Sequence, residues 1–225
     1  MRHSRFRLIV FDWDGTLIDS IGTIVSCTNA MLDELGLDPV AEETVRSMIG
    51  SGLEESIRAL APDADENAFE RVVDTYRRLW VNDYHARSSL FAGAAALIER
   101  LHEEGYLLAV ATAKGRRGLG LDLERFGLAE LFHTTRTVDE APSKPSPAML
   151  LDILDQLGVR AEEALMVGDS VHDLQMGRNA GVASVAVASG AVPRARLLEE
   201  NPLACLQSVL DLPEWLEFRG HHPKA

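Results

Sequence analysis

Arg7-Leu8-Ile9-Val10-Phe11-Asp12-Trp13-Asp14-Gly15-Thr16 carries an apolar run straight into two carboxylates, one residue apart, with a glycine behind them. A short run of Leu, Ile, Val and Phe closed by turn residues reads as a buried strand. Asp12 and Asp14 then stand at its carboxyl end, where open α/β sheets place their ligands. Like charges that close repel, and a divalent cation, or a proton on one of the pair, resolves the conflict. Asp and Gly after a strand also make an ordinary turn, and this stretch alone does not separate the two readings. A calcium loop fails, because it needs Glu at its twelfth position and counting from Asp12 that residue is Thr23.

After Thr16 the pattern turns helical. Ile21, Ile24, Val25, Leu32 and Leu35 recur at threes and fours up to Gly36. Val45, Met48 and Ile49 lead into Gly50-Ser51-Gly52, then Leu53, Ile57 and Leu60; a third run holds Phe69, Val72, Val73, Tyr76, Leu79 and Trp80. From Asp19 to His85 the spacing predicts helices and no strand. From Leu90 strands and helices alternate: a helix over 94–104 ended by Gly105, a strand over 107–111, a helix over 118–126 and a short strand within 131–138. Ser146 as N-cap and Pro147 at the first position open a helix that stops at Gly158. A strand over 164–167, a helix over 171–180 and a strand over 182–187 follow. Leu197-Leu198 and the Leu206–Leu212 run predict terminal helices. Alternation implies a parallel sheet covered on both faces. The expected fold is therefore α/β: a Rossmann-like parallel-sheet core over 1–18 and 86–225, with an all-helical cap over 19–85 inserted just after the first strand.

The 225 residues are 46% hydrophobic, enough for a substantial core, and the formal net charge of −13 argues against a phosphate-backbone binder of nucleic acid. A small anionic substrate remains compatible, since a bound cation inverts the local sign. Cys27 and Cys205 are the two cysteines, far apart, which suggests reduced thiols in a cytoplasm. The basic start, Arg2 to Arg7, precedes an apolar run too short for a signal peptide, and no run approaches a membrane span. His221-His222 reads as part of a polar tail with no metal site.

Three further polar clusters follow strands or sit in loops: Thr112 after Ala111; Lys144 in Ser143-Lys144-Pro145-Ser146-Pro147; and Gly168-Asp169-Ser170 with Asp173. Each has a plain reading. Thr112 caps a helix, Lys144 is a solvated lysine, Asp169 turns the chain, and Asp173 completes a capping box with Ser170. Those readings leave the coincidence unexplained: in a parallel sheet these strand ends open onto one crevice. Two carboxylate pairs, a hydroxyl and an ammonium suit phosphoryl transfer. A cation held by carboxylates screens the phosphate, a lysine and backbone N–H groups hold its oxygens, and a carboxylate nucleophile gives an aspartyl-phosphate.

Here the chain resembles the haloacid dehalogenase superfamily, in its phosphoglycolate-phosphatase-like branch with a helical cap, from Phe6 to about Ala188. Asp12-Trp13-Asp14-Gly15-Thr16, Thr112, Lys144 with Pro145 and Pro147, and Gly168-Asp169 with Asp173 match its four motifs in order. The resemblance implies Asp12 as nucleophile and Mg²⁺ ligand. Asp14 becomes the acid/base, its backbone carbonyl on the metal, a role that needs a pKa above the ordinary 3.9 or so. Thr112 and Lys144 bind the phosphoryl oxygens, Lys144 also orients Asp12, and Asp169 and Asp173 complete the metal site. Asp14 marks the phosphatase form, which the dehalogenases and the phosphonate-cleaving members lack.

Two positions depart from many relatives: Ala113 stands where they have Asn, and Ala92 where they have Pro before the glycine. The first concerns the substrate pocket. Gly50-Ser51-Gly52 is the candidate cap loop over the phosphate site, and Arg116 and Arg117 are candidate contacts for an anionic leaving group. The glycines of Gly115–Gly120 have the reverse of dinucleotide-binding spacing. The resemblance thus implies a Mg²⁺-dependent, cytoplasmic phosphatase, a monomer or homodimer, acting on a small phosphorylated metabolite such as phosphoglycolate, with no nucleic acid or membrane partner. A phosphomutase of the β-phosphoglucomutase type, a pyrophosphatase and a non-catalytic phosphate-ligand binding protein are the alternatives.

Overall fold

The structure is a computed structural model that describes residues 5–221, and of 219–221 the backbone path alone. The His221-His222 tail and the start of the basic segment therefore lie outside the described residues or side chains. In chain order the strands are β1 (Leu8–Phe11), β2 (Ile18–Asp19), β3 (Ser89–Leu90), β4 (Leu107–Thr112), β5 (Thr134–Thr137), β6 (Ala164–Gly168), β7 (Ala183–Val187) and β8 (Cys205–Leu206). The helices are α1 (Ile21–Glu34), α2 (Glu42–Met48), α3 (Leu53–Leu60), α4 (Glu66–Leu79), α5 (Ala94–Glu103), α6 (Arg116–Phe126), α7 (Ala148–Leu157), α8 (Val171–Asn179), α9 (Arg194–Leu198) and α10 (Leu212–His221).

Six strands form a parallel sheet in the order β5-β4-β1-β6-β7-β8. Every residue of β1 is buried, because helices cover both faces. Alternation along the strands sorts the core. Ile9, Phe11, Leu108, Val110, Leu165 and Val167 pack with Leu97, Ile98 and Leu101 of α5 on one face. Leu8, Val10, Ala109, Ala111 and Met166 pack with Met149, Leu150 and Ile153 of α7 on the other. From β1 the chain builds β4 and β5 to one side and β6, β7 and β8 to the other, so the strand order reverses at β1. That switch point is where such sheets open a crevice at their carboxyl ends. Phe11 lies opposite Val110 and Val167, which brings Asp12 level with the ends of β4 and β6.

Helices α1–α4 leave the core after β1 and return before β3. A two-stranded antiparallel ribbon, β2 with β3, ties the outgoing chain to the returning one, pairing Ile18 with Leu90 and Asp19 with Ser89. The sequence predicts no strand at β2, because two residues are too short to show a period. The Leu206–Leu212 run is not one helix: Cys205-Leu206 adds β8 to the edge of the sheet, a short 3₁₀ turn follows, and α10 begins only at Leu212. Pro147 rather than Ser146 is the residue preceding α7, although the Ser146 hydroxyl accepts a bond from the Ala148 amide at 3.4 Å. Helix α6 starts at Arg116, a half turn earlier than its glycines suggest, with Gly115 before it.

Candidate active site

The ends of β1 and β6 and the loop before α7 bring three carboxylates and one ammonium together. Asp12, Asp169 and Asp173 are buried, and one oxygen from each lies within 4.8 Å of the others. Lys144 is 1% exposed, which excludes the solvated-lysine reading; its Nζ lies 2.6 Å from Asp173 Oδ1 and 2.7 Å from Asp12 Oδ1. The Asp173 contact is a hydrogen bond, whereas the Asp12 contact lies outside hydrogen-bond angles and leaves that oxygen without a donor. With all three carboxylates ionised, as a bound cation would favour, one ammonium leaves this buried cluster a net charge of −2. An all-oxygen donor set with that surplus and an unbonded carboxylate oxygen fits a hard divalent cation.

The electrostatics follow from burial. Desolvation, reinforced by the Asp173 charge and opposed by Lys144, raises the Asp12 carboxyl to about 7. Desolvation and then the Asp12 and Asp173 charges hold Asp169 well above the usual carboxylate range. Burial alone would lower Lys144, but its two carboxylate partners outweigh that and hold it above the ordinary lysine value.

Backbone geometry sets the carboxylates. Asp173 serves both of its sequence readings: it accepts from the Ser170 amide at 3.0 Å and hydroxyl at 2.6 Å, closing a capping box on α8, and it also receives Lys144. Asp169 accepts from the Thr16 hydroxyl at 3.0 Å and the Ala191 amide at 3.0 Å. Gly190 permits this approach, because a Cβ there would sit 1.7 Å from Asp169 Oδ2. Sequence reading missed Gly190, whose one visible mark is its place just past β7. Gly190→Ala is expected to displace Asp169 and cost about 1–3 kcal/mol of stability, with at least a tenfold loss of activity; urea unfolding and phosphate release measure both.

Asp14 points elsewhere. Its carboxylate accepts from Lys114 Nζ at 3.0 and 3.3 Å, and its side chain is not in the three-carboxylate cluster. Lys114 also lies 3.4 Å from Asp122 of α6, and its Nζ sits 4.5 Å above the Trp80 ring. The Trp13 indole N–H donates to the same Asp122 oxygen at 2.9 Å. Burial would lower Lys114, but Asp14 and Asp122 raise it on balance. Neither Lys114 nor Asp122 stands out in the sequence. Trp80 is set over Lys114 where α4 runs into a π-helical turn, Trp80–Tyr84.

Thr112 is 1% exposed at the end of β4, and its hydroxyl accepts from the Lys114 amide at 3.2 Å rather than capping α6. Ala113 lines the same pocket as Asp12 and Asp14. The cap loop reaches the core: Gly50, at φ +103°, lies where a Cβ would meet the Ser170 side chain at 2.8 Å, and the Gly52 amide donates to the Ser143 hydroxyl at 3.1 Å. Ser51 lines the pocket, its hydroxyl bonded to the Met48 carbonyl at 2.6 Å. Arg116 is taken up by Thr135 and Glu140, whereas Arg117 lines the pocket and is exposed.

A buried carboxylate cluster with a lysine thus stands at the switch point of a parallel sheet under helices, a constellation whose chemistry suits phosphoryl transfer. The model of the haloacid dehalogenase-like hydrolase family matches residues 9–187, and the chain belongs to that family. Among curated relatives, a phosphoglycolate phosphatase of Rhodospirillum rubrum is 34% identical over 221 residues, covering 94% of this chain and 91% of that one. One of Vibrio parahaemolyticus is 31% identical over 222 residues, covering 95% and 97%. A haloacid dehalogenase-like hydrolase structure from Bacteroides fragilis superposes with a TM-score of 0.87 at 25% identity, over 92% of this chain and 99% of that one. One from Streptococcus pneumoniae shares the fold with a TM-score of 0.82 at 24% identity, over 94% and 98%. The protein is a phosphatase, a phosphoric monoester hydrolase, on an α/β Rossmann-like core. Among the described residues no helix is long and apolar enough to cross a membrane.

Proposed function

We propose that the protein hydrolyses small phosphomonoesters in the cytoplasm, with Mg²⁺, through an aspartyl-phosphate on Asp12, under a helical cap over 19–85 set on a core of 1–18 and 86–225. The observation that carries this reading is the parting of Asp12 and Asp14. Two carboxylates one residue apart face two environments, one among Lys144 and the carboxylate cluster, the other on Lys114 at the pocket. Separate environments give separate chemical roles. Buried, unpaired Cys27 and Cys205 accord with a reducing compartment.

In this mechanism Asp12, oriented by Lys144, attacks phosphorus, and the ester oxygen leaves with a proton from Asp14. To deliver that proton, Asp14 turns from Lys114 toward the leaving oxygen. Asp14 then takes a proton from the water that hydrolyses the aspartyl-phosphate, returning Asp12 and releasing phosphate. Thr112, Lys144 and the Ala113 backbone hold phosphoryl oxygens, and the loop at Gly50 and Ser51 closes over them. Asp12, Asp169 and Asp173, with the Asp14 carbonyl, would hold Mg²⁺, which supplies charge that screens the phosphate from the attacking carboxylate. Phosphate release from acetyl phosphate and a set of phosphomonoesters, with and without Mg²⁺, tests the reading. Release that needs Mg²⁺ supports it; Mg²⁺-independent release, or none, contradicts it.

The raised Asp12 carboxyl links metal binding to pH. Asp12 titrates near 7 in the folded metal-free protein and near 3.8 as a free group. Its proton therefore contributes stability that is full below about pH 4, declines as pH rises, and is gone above about pH 7. A cation must displace that proton. The rise in melting temperature on adding Mg²⁺ is expected to be larger at pH 8 than at pH 5.5, as read by calorimetry. An equal rise at both contradicts the linkage.

A further inference from the structure

Lys114 bonds one group and is held by others. Its backbone amide donates to the Thr112 hydroxyl at 3.2 Å, and its side chain is 7% exposed. Its Nζ lies 4.5 Å above the buried Trp80 ring, which stacks in turn on Tyr76 of α4. It also lies 3.4 Å from Asp122, which is 0% exposed and fixed by the Trp13 indole. Its hydrogen bonds at 3.0 and 3.3 Å, however, go to Asp14. The mechanism above requires Asp14 to leave this seat. As proton donor it is uncharged and turned to the ester oxygen, while Trp80 and Asp122 keep Lys114 where it is.

The ammonium is then left with Asp122 as its carboxylate partner. An ammonium has three hydrogens to place, and a buried cation short of partners is costly. The seat that Asp14 gives up faces the cleft, which both residues line. A second carboxylate there restores the arrangement with no change of charge. The leaving group is the part of a substrate that reaches it, because the two seats of Asp14 lie within one side-chain swing. The other lining cations stand differently. Arg77 and Arg78, on the polar α4 wall with Asp74, are half-exposed, and their pairs with Glu54 and Glu34 are of the weak surface kind. Together with the exposed Arg117 they can draw an anion into the open cleft. Asp14 is bonded to Lys114 and, among the described residues, to none of these three, so they add attraction without moving the acid.

We propose that Lys114 is a substrate-binding residue that exchanges Asp14 for an anionic acceptor on the leaving alcohol, so that seating the alcohol is what releases the acid onto the ester oxygen. This rests on the phosphatase reading above. A ligand shifts an equilibrium only by binding one state better than the other. Here a carboxylate borne on the ester carbon binds Lys114 only where Asp14 has left, and a plain alkyl group has nothing to offer in exchange. Part of the binding energy is thereby spent on placing the acid, so it appears in kcat as well as in KM. Protons balance around the cycle. Asp14 takes one from solvent as it quits Lys114 and passes it to the alcohol oxygen as the P–O bond breaks. It takes another from the water that attacks the aspartyl-phosphate, and returns it to solvent on rejoining Lys114. Asp122 and Trp80 are positioning residues that act through Lys114.

The test measures kcat and KM with Mg²⁺ for phosphoglycolate and for isobutyl phosphate, which has the same shape with methyl groups in place of the carboxylate oxygens. Acetyl phosphate checks the chemistry itself. For the wild type, kcat/KM for phosphoglycolate is expected to exceed that for isobutyl phosphate by at least about thirtyfold, with at least about fivefold of it in kcat. Lys114→Met is expected to cut that ratio at least about tenfold, and to remove the kcat difference. A merely structural loss would lower both esters alike and keep the ratio. Arg78→Ala and Arg117→Ala are expected to lower the ratio by less than about threefold, through KM alone. Equal wild-type kcat values for the two esters, a ratio that stays in a folded Lys114 variant, or a ratio that collapses in Arg78→Ala or Arg117→Ala instead, overturns the proposal. If Lys114→Met does not fold, Lys114→Gln, which keeps a hydrogen-bond donor without the charge, replaces it; if neither folds, the two wild-type kcat values decide. Cleavage of acetyl phosphate with equal kcat for the two esters sinks this inference and leaves the phosphatase reading standing; no cleavage of acetyl phosphate or either ester sinks both.

Discussion

Asp12→Asn lowers turnover by at least about 10³-fold, as removal of a nucleophile does, and at the same time stabilises the metal-free protein above pH 7. The opposite signs come from one cause. The cluster carries three buried carboxylates against Lys144, and burial together with Asp173 makes the Asp12 charge costly. Asparagine keeps the shape without the charge, and Lys144 retains its hydrogen bond to Asp173. The expected gain is about 1–3 kcal/mol at pH 8, which at this chain length is about 2–4 °C in Tm for each kcal/mol. The gain shrinks toward pH 5, where wild-type Asp12 takes up a proton, and added Mg²⁺ reverses the order by stabilising the wild type. Thermal melts at both pH values, with and without Mg²⁺, check all three statements. A variant less stable than wild type at pH 8 without metal would show that Asp12 is held in place by Lys144 more than it is strained by its neighbours.

Lys144→Met moves stability the other way. Among the described residues Lys144 is the one cation in contact with the buried carboxylate cluster, touching Asp12 and Asp173 together. Breaking a buried pair by removing one partner leaves an uncompensated charge and costs about 3–5 kcal/mol. The loss is expected to be largest at pH 8 in the absence of metal, smaller at pH 5.5, and partly restored by Mg²⁺. Activity falls by about 10²–10³-fold, since the phosphoryl oxygens lose their lysine. Urea unfolding at the two pH values measures the first effect and steady-state phosphate release the second. Equal destabilisation at both pH values would show a packing loss rather than an electrostatic one.

Much of this architecture was readable where several constraints agreed. β1, β4, β6 and β7 are apolar runs closed by turn residues, and helix spacing marks α1, α5 and α7, with Gly36, Gly105 and Gly158 past their ends at positive φ. Asp12, Lys144, Asp169 and Asp173 come together because a parallel sheet delivers successive strand ends to one edge. Lys114 was not legible, since a lysine in a loop has no periodicity, and its burial follows from Trp80 and Asp122, which sit 34 residues before it and on the next helix. Asp122 falls inside an amphipathic helix, where an acidic residue reads as solvated; its 0% exposure is set by Trp13, which lies 109 residues away. Gly190 shows its role only through the distance to Asp169. Pairs as short as β2 with β3, or β7 with the two-residue β8, are held by partners rather than by their own pattern.

The most direct measurement is of the covalent step. The protein is mixed with acetyl phosphate and Mg²⁺, quenched in acid within milliseconds, digested, and the peptide containing Asp12 and Asp14 weighed and fragmented. A phosphoryl group on Asp12, lost on treatment with hydroxylamine and absent from Asp12→Asn, is the predicted result. Turnover of acetyl phosphate with no phosphoryl group on Asp12 at any quench time, or with the label on Asp14 instead, would contradict the assignment of the nucleophile.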